Sequence, residues 1–245
     1  MRRSALVEWV CMEKYARRSL NHVLAGLPDT VWDGLAPKLE TIDLPQGGVL
    51  YEHGELIHHV WFPLDTVIDL LCETSNGKGA EIAMIGCDSV VGITALASGR
   101  ALPGRALVRC AGQAQRLSLN ALREAARQND TLRYTLFSSL QALISQIAQN
   151  ALCNRHHSLQ QRLCRWLLMS LDCLPGSAIE TTQSDIAERL GVRREGITGG
   201  ARKLHDLGAI HCHRGHIDVL DRKLLECLCC ECYADSQRSS HKLSA

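Results

Sequence analysis

Basic side chains concentrate in one segment of this 245-residue chain, whose formal net charge is only +1. Residues 189–216 carry six lysines and arginines against two acidic residues, whereas residues 1–152 balance 14 basic with 15 acidic side chains. Arginine binds phosphates and can bridge guanine O6 and N7, and glutamate can accept a hydrogen bond from cytosine N4. If the chain binds a polyanion, we therefore expect residues 189–216 to bind it.

Two short helices with a tight corner are predicted around these arginines. Thr182 or Ser184 can cap the first helix, Gly191 supplies a left-handed corner, and the second helix is expected from about Arg193 to Leu207. Apolar residues stand where two crossed helices would touch: Ile186, Ala187, Leu190, Ile197, Ala201 and Leu204. This pattern is typical of a helix-turn-helix unit, a moderately specific signal because small helical corners occur in many enzymes.

The residues after Gly208 complete the unit. They form two short alternating runs around Arg214-Gly215, which predict a β-hairpin wing. Inside the second helix, Gly199 and Gly200 each cost roughly 1 kcal/mol relative to alanine. We expect them to allow a close approach either to DNA or to the preceding helix.

Cysteine is abundant, with twelve residues in the chain. An intracellular protein of this size normally keeps its cysteines as thiols. Four of them lie in the segment ECLCCECY: Cys227, Cys229, Cys230 and Cys232. They do not share one face of a continuous helix, so a metal site would require the helix to unwind. Two interpretations stay open, small apolar packing of the last helix onto the wing or a thiol-based redox or metal response.

The segment from Leu39 to about Leu119 consists of short apolar or alternating runs separated by turn residues, which predicts an antiparallel sandwich or barrel. Metal oxygenases also use such folds, but their ligand pairs project from one strand face. His58 and His59 are adjacent and would point to opposite faces. We expect no enzyme, because no nucleophile elbow, phosphate-binding loop or zinc-ligand spacing is present either.

A long helix is predicted next, because neither proline nor glycine occurs from Leu122 to Cys173. Apolar residues recur along it at spacings of four, three, four and four: Leu136, Leu140, Leu143, Ile147 and Ala151. A narrow apolar seam of this kind pairs with a copy of itself. The alternative is that the seam docks on the β domain.

The N-terminus is a poor signal peptide, because Glu8 and Glu13 interrupt its apolar run. No apolar stretch approaches the roughly 20 residues that a membrane span needs. We therefore expect a cytoplasmic protein without a membrane partner, and Met12 is an alternative start to Met1.

The chain resembles the Crp/Fnr family of bacterial transcription regulators over residues 24–233. The segments LYEHGE, IGCDSVVG, ALCNRHHSLQQRLCRWLL, DIAERLGVRREGIT and GAIHCHRGHIDVLDRKLLE carry the resemblance. It implies an α+β chain with an N-terminal double-stranded β-helix of jelly-roll type, a dimerisation helix and a C-terminal winged helix-turn-helix. The implied partners are double-stranded DNA, a second copy of the chain and RNA polymerase. The expected domains are an N-terminal extension (1–20), a β-roll (21–125), the dimerisation helix (126–153), the DNA-binding domain (154–233) and a tail (234–245).

The family's DNA-contacting residues can be matched to this sequence position by position. The base-reading arginine and glutamate match Arg194 and Glu195, and residues that hold phosphates match Thr182 and Ser184. A third base-reading arginine found in several members falls at Gly199, so the half-site should differ from theirs. The full set of expected DNA contacts is Thr182, Ser184, Arg193, Arg194, Glu195, Thr198, Arg202 and Arg214.

The signal that the β-roll senses is not evident from the sequence. Members that bind cyclic nucleotides carry a Gly-Glu pair and an Arg-Ser or Arg-Thr pair, but this chain has Ile93 after Gly92 and Gly104-Arg105 at the second pair. A cyclic phosphate without those partners would face an uncompensated desolvation cost, so cyclic AMP is not expected as the effector. The iron-sulfur branch needs several N-terminal cysteines, and only Cys11 precedes the roll. We predict no cofactor, and the effector is unknown.

Overall fold

A computed structural model describes residues 17–75, 79–100, 103–174 and 176–241, with side chains to residue 237. The predicted N-terminal extension, the alternative start residues and Cys11 lie outside the described residues, apart from residues 17–20. No helix in these ranges is long and apolar enough to cross a membrane.

Seven antiparallel strands form the N-terminal β-roll as two facing sheets. Their order is β1-β7-β3 in one sheet and β2-β6-β4-β5 in the other. The strands are β1 Glu40–Leu44, β2 Val49–Tyr51, β3 His59–Pro63, β4 Val67–Glu73, β5 Gly79–Ile85, β6 Arg105–Cys110 and β7 Gly112–Ser118. Apolar side chains of both sheets meet in one core, as alternation along antiparallel strands requires. The predicted β fold is confirmed.

Short helices close the roll. They are α1 His22–Ala25, α2 Asp29–Leu35, a 3-10 turn Ala36–Lys38, α3 Ala95–Ser98 and α4 Leu119–Gln128. Leu24, Trp32 and Leu122 are fully buried and join the core of the roll. The helices thus cover apolar strand surface that would otherwise face water.

The long helix α5 spans Asp130–His156, whereas the dimerisation helix was expected over residues 126–153. Asn129 has extended backbone angles, and its side chain accepts a hydrogen bond from the Leu132 amide at 2.9 Å. Asparagine is a strong N-cap residue and starts a new helix here although no proline or glycine is present. α4 and α5 are therefore separate helices.

The predicted seam of α5 requires a correction as well. Leu136 and Leu143 are buried in the core of the roll, and Leu140 and Ile147 pack against that core. Only Ala151 of the predicted seam is exposed. The apolar side chains that α5 leaves uncovered lie on another face, and their exposed fractions are Tyr134 75%, Phe137 63%, Ile144 59% and Leu152 50%.

The C-terminal domain begins after His157 and Ser158. Its elements are α6 Leu159–Cys173, β8 Ala178–Glu180, α7 Gln183–Arg189, α8 Arg194–Asp206, β9 Ile210–His213, β10 His216–Val219, α9 Arg222–Leu228 and α10 Cys232–His241. The three strands form an antiparallel sheet in the order β8-β10-β9. A second hydrophobic core joins the helices to this sheet. The predicted winged helix-turn-helix is confirmed.

The last helix differs from the prediction of a tail from residue 234. Residues 232–241 form α10, which contacts α5 and α6. Within the cysteine-rich segment, Cys230 and Cys232 pack against Cys153 of α5, whereas Cys229 and Tyr233 join the core that contains the wing strands. The C-terminus instead returns to the end of the long helix.

Candidate nucleic-acid interface

The first helix of the helix-turn-helix, α7, has a well-defined start. The Thr182 hydroxyl accepts a hydrogen bond from the Asp185 amide at 3.1 Å, and the Asp185 carboxylate accepts one from the Thr182 amide at 2.9 Å. This reciprocal capping box identifies Thr182 as the N-cap, so Ser184 is not the cap. Gly191 adopts a φ of 63°, the left-handed corner that the sequence predicted.

Helix α8 lies close to α6 through two glycines. A Cβ atom added at Gly196 would stand 2.8 Å from Leu159 Cδ2, and one added at Gly200 would stand 3.1 Å from Leu163 Cδ2. Gly200 is therefore explained by contact with a preceding helix, which was one of the two expected reasons. Gly199 has no atom within 4 Å of the added Cβ and is exposed, so no packing contact accounts for it.

All eight predicted DNA contacts are exposed. Arg194, Glu195, Thr198 and Arg202 share one face of α8 by helical spacing, and Arg193 stands at its N-cap. The Thr198 hydroxyl donates to Gln183 Oε1 at 2.7 Å, which ties this face to α7.

The basic groups of this surface are available to a ligand. Within the ranges described, Arg193, Arg194, Arg202 and Arg214 form no ion pair. Other arginines of the domain are neutralised, for example Arg222, which pairs with Asp172 at 2.5 Å. Exposed arginines without an acidic partner make this face a site for anions.

The wing stands beside α8. Strands β9 and β10 pair through His213 and His216, and the turn between them contains Arg214 and Gly215, whose φ is 79°. Four imidazoles follow one another along the hairpin and the end of α8, with neighbouring ring centroids 5.3–5.6 Å apart: His205, His211, His213 and His216. His213 Nε2 lies 3.2 Å from an Asp218 carboxylate oxygen.

A buried ionic network joins the β-roll to the helix-turn-helix. Asp69 of β4 is completely buried and contacts Arg109 of β6 as well as Arg189 of α7, the latter at 2.5 Å. Glu81 of β5 lies 2.5 Å from Arg109 and accepts a hydrogen bond from the Trp166 indole at 3.2 Å. Burial raises the pKa of Glu81 to about 7, and the Asp69 carboxylate acts in the same direction while Arg109 opposes it.

Residues 93 and 105 of the roll stand at the positions compared with the cyclic-nucleotide pairs. Neither position offers an unpaired cationic side chain. Ile93 is buried in the apolar core. Arg105 lies 3.0 Å from Glu73 and 3.8 Å from Glu188, so its charge is already compensated.

The cysteine-rich segment is not one helix, because α9 ends at Leu228 and α10 begins at Cys232. This break directs Cys230 and Cys232 inward, whereas Cys227 is exposed and Cys229 lies against the backbone of Gln161. The inward pair meets two residues of the CNRHH segment, Cys153 and His157. Sequence reasoning missed these two, although their i, i+4 spacing places them on one helix face. The eleven described cysteines are all free thiols.

Comparison with known proteins agrees with this geometry. Residues 161–228 match the family described as the Crp-like helix-turn-helix domain. No curated protein matches the chain by sequence.

Solved structures match most of the chain. FixK2 from Bradyrhizobium japonicum is 17% identical with a TM-score of 0.68 and covers 78% of this chain and 98% of its own. TTHA1359 from Thermus thermophilus, a transcriptional regulator of the CRP/FNR family, is 19% identical with a TM-score of 0.63 and coverages of 77% and 97%. The c-di-GMP responsive global regulator CLP from Xanthomonas campestris is 13% identical with a TM-score of 0.65 and coverages of 79% and 100%.

Proposed function

We propose that this chain, which is of the Crp/Fnr type by its helix-turn-helix domain and its fold, is a cytoplasmic transcription regulator that binds a near-palindromic DNA site as a homodimer. The observation that carries the proposal is the exposed face of α8, where arginines without acidic partners surround Glu195. Such a face combines phosphate contacts, which position the helix, with a donor and an acceptor for base edges. We assign Arg194 and Glu195 to base reading.

The remaining contacts are assigned to the DNA backbone. Thr182 is exposed at the N-cap of α7, where its hydroxyl accepts from the Asp185 amide and can donate its own proton to a phosphate oxygen. Ser184 lies in the first turn of the same helix, and Arg214 projects from the tip of the wing. These groups carry no sequence information but fix the orientation of α8.

Dimerisation is assigned to the exposed apolar face of α5. Tyr134, Phe137, Ile144 and Leu152 follow one another at spacings of three, seven and eight residues, which keeps them on one side of the helix. Two copies of α5 packed along this face would bury these side chains and hold two α8 helices for half-sites about 34–36 Å apart. A contact with RNA polymerase stays a prediction.

Cyclic AMP is not proposed as the effector of the roll. Ile93 occupies the core, and Arg105 is already neutralised by Glu73 and Glu188, so a cyclic phosphate would lack a cationic partner. The effector of this chain stays unknown.

Two arginine substitutions test the function. An operator is first selected from random-sequence DNA with the purified protein, and affinities are then measured on that operator and on scrambled DNA over a salt series. Arg194→Ala should cost about 1–3 kcal/mol per half-site on the operator and relax the preference at one base pair. Arg214→Ala should weaken binding to all sequences alike and lower the salt slope by about one unit for each phosphate that the arginine neutralised.

The matched control is Arg127→Ala, which removes an exposed arginine of α4 that only pairs with Glu124. It should leave both affinities unchanged. If Arg194→Ala leaves the ratio of specific to non-specific affinity unchanged, α8 does not read base edges. If no sequence is enriched from the random pool, the proposed function itself is wrong.

A further inference from the structure

Four potential metal ligands converge where the long helix meets the C-terminal helix. They are Cys153 of α5, His157 directly after α5, Cys230 of the α9–α10 connection and Cys232 at the start of α10. Their ligand atoms all lie within 4.8 Å of one another. Two chain segments, residues 153–157 and 230–232, thus bring three thiols and an imidazole together.

The spacing of these atoms fits a single tetrahedral ion. With Zn–S bonds of about 2.3 Å and a Zn–N bond of about 2.0–2.1 Å, ideal tetrahedral edges are about 3.8 Å between sulfurs and about 3.6 Å between sulfur and nitrogen. Cys153 Sγ lies 3.7 Å from Cys230 Sγ, and Cys232 Sγ lies 3.4 Å from His157 Nδ1. The remaining pairs, all within 4.8 Å, need to contract by at most about 1.2 Å to reach these lengths.

The surroundings support the ligand set. Cys153, Cys230 and Cys232 are buried. Together with His157 they supply all four ligands of a tetrahedral ion, so no position is left for water. The second ring nitrogen of His157, Nε2, lies 3.3 Å from a carboxylate oxygen of Glu231. A carboxylate behind the free nitrogen of a ligating histidine fixes its tautomer and orientation in many metal sites.

A cationic side chain is also nearby. Arg165 is buried, and its positive charge acts on the Cys153 sulfur. Three thiolates and one neutral imidazole around a divalent ion carry a net charge of −1, which an adjacent guanidinium compensates. The described environment therefore suits the metal-bound state of the ligands.

We propose that Cys153, His157, Cys230 and Cys232 form a closed structural zinc site. Three thiolates with one imidazole suit Zn²⁺, which takes such sets in tetrahedral geometry. The thiols release three protons when the ion binds, and His157 binds as the neutral imidazole through Nδ1. The ion would connect the C-terminal end of α5 to the start of α10.

The proposed zinc site lies where the long helix α5 joins the DNA-binding domain. His157 and Ser158 separate α5 from α6, which is the first helix of the DNA-binding domain. A metal ion bound here would hold the C-terminal end of α5 in place relative to α10, which belongs to the DNA-binding domain. The site therefore acts on the joint between the dimerisation helix and the DNA-binding domain, independently of which DNA sequence is read.

Metal binding is tested on the full-length protein, reduced and stripped of metal. Titration with Co²⁺ should give one equivalent bound with the intense visible d–d absorption of a tetrahedral site and thiolate-to-cobalt charge transfer, and one equivalent of Zn²⁺ should abolish these bands. Cys232→Ser should lose the bands. The matched control, Cys227→Ser, removes an exposed cysteine five residues away and should retain them.

A second variant keeps the test independent of folding defects. Glu231→Gln leaves all four ligands in place but removes the carboxylate behind His157, and it should lower the zinc affinity about 10–100-fold in competition with a chromophoric chelator. Circular dichroism checks that each variant is folded.

Three results would overturn the proposal. They are the absence of binding by the reduced folded protein, a cobalt spectrum without the tetrahedral bands, and equal loss of binding in Cys227→Ser and Cys232→Ser. Oxidation of Cys153 and Cys230 to a disulfide in a protein that binds no metal after reduction would assign the cluster to thiol chemistry instead.

Discussion

Replacing Glu81 by glutamine should remove the part of the pH dependence of stability that comes from the ionisation of Glu81. Glu81 of β5 contacts Trp166 of α6, its side chain is 7% exposed, and burial raises its pKa from 4.5 to about 7. Because the folded-state pKa lies above the unfolded one, the folded protein holds this proton more tightly. The resulting stability is fully present below pH 4.5 and is lost as the pH rises through about 7.

The size of the effect follows from the shift. Each pKa unit corresponds to about 1.36 kcal/mol, so between pH 5 and pH 8 the native protein should lose on the order of 2–3 kcal/mol of unfolding free energy through Glu81. Glu81→Gln mimics the protonated acid and cannot ionise. The difference in unfolding free energy between the variant and the native protein should therefore grow by this amount over the same pH range.

Urea unfolding at a fixed protein concentration, from pH 5 to pH 8, measures this difference. The matched control is Glu40→Gln, because the hydrogen bond and charge of Arg116 lower the pKa of Glu40 and keep it ionised throughout this range. The control should follow the pH dependence of the native protein. A constant difference between Glu81→Gln and the native protein would mean that the ion pair with Arg109 outweighs burial and that Glu81 is charged in the folded state.

Three further predictions address dimerisation, the recognition helix and the effector. Ile144→Asp should raise the dimer dissociation constant at least about tenfold in sedimentation experiments, because it buries a charge on the α5 face, whereas Leu220→Asp, at an equally exposed leucine outside α5, should not. Gly199→Ala should raise the unfolding free energy by about 1 kcal/mol in urea, because the added methyl meets no atom within 4 Å, and a loss of stability would contradict the described helix. Calorimetric titration with cyclic AMP should detect no binding, and micromolar affinity would contradict the assignment of Ile93 and Arg105.

The helix-turn-helix could be predicted from sequence because its boundaries depend on local chemistry. Thr182 and Asp185 form a capping box within four residues, and Gly191 and Gly208 adopt left-handed angles that few other residues tolerate. The wing turn at Arg214-Gly215 follows the same rule. In each case the residue that determines the backbone conformation is the one at which the element begins or ends.

The long helix shows where this reasoning fails. α5 carries apolar residues on two faces, one with Leu136 and Leu143 and another with Phe137 and Ile144. Periodicity detects that apolar residues recur, but either face could be the one that packs on the roll. Which face is buried depends on the position of the β-sheets, which a helical repeat does not contain.

The metal ligands were missed for a related reason. Cys230 and Cys232 stand among other cysteines in the sequence, whereas their partners Cys153 and His157 lie more than 70 residues earlier. A pair of i, i+4 ligands and a Cys-x-Cys pair are both weak signals separately. The two pairs come together only because α10 packs against the C-terminal end of α5.

Among the contacts that join the DNA-binding domain to the rest of the chain, two restrain different elements of the domain. The first is Asp69, which contacts Arg109 within the roll and Arg189 on α7, so one buried carboxylate is shared by both domains. Breaking a buried pair of this kind costs about 3–5 kcal/mol, because a charge is left uncompensated. A change in the roll that moves β4 or β6 must therefore either carry α7 with it or break this ion pair.

The second connection is the cysteine and histidine cluster at the end of α5. It contacts the domain through α10, whereas Asp69 contacts it through α7, so the two connections restrain different elements of the same domain. A signal can shift the orientation of the domain only by as much as its free energy differs between the two orientations. With both connections present, a signal in the roll has to overcome the Asp69 contact while the end of α5 stays fixed. Rotation of the domain about the His157–Ser158 joint would therefore have to break the Asp69 contact and also move Cys230 and Cys232 away from Cys153 and His157.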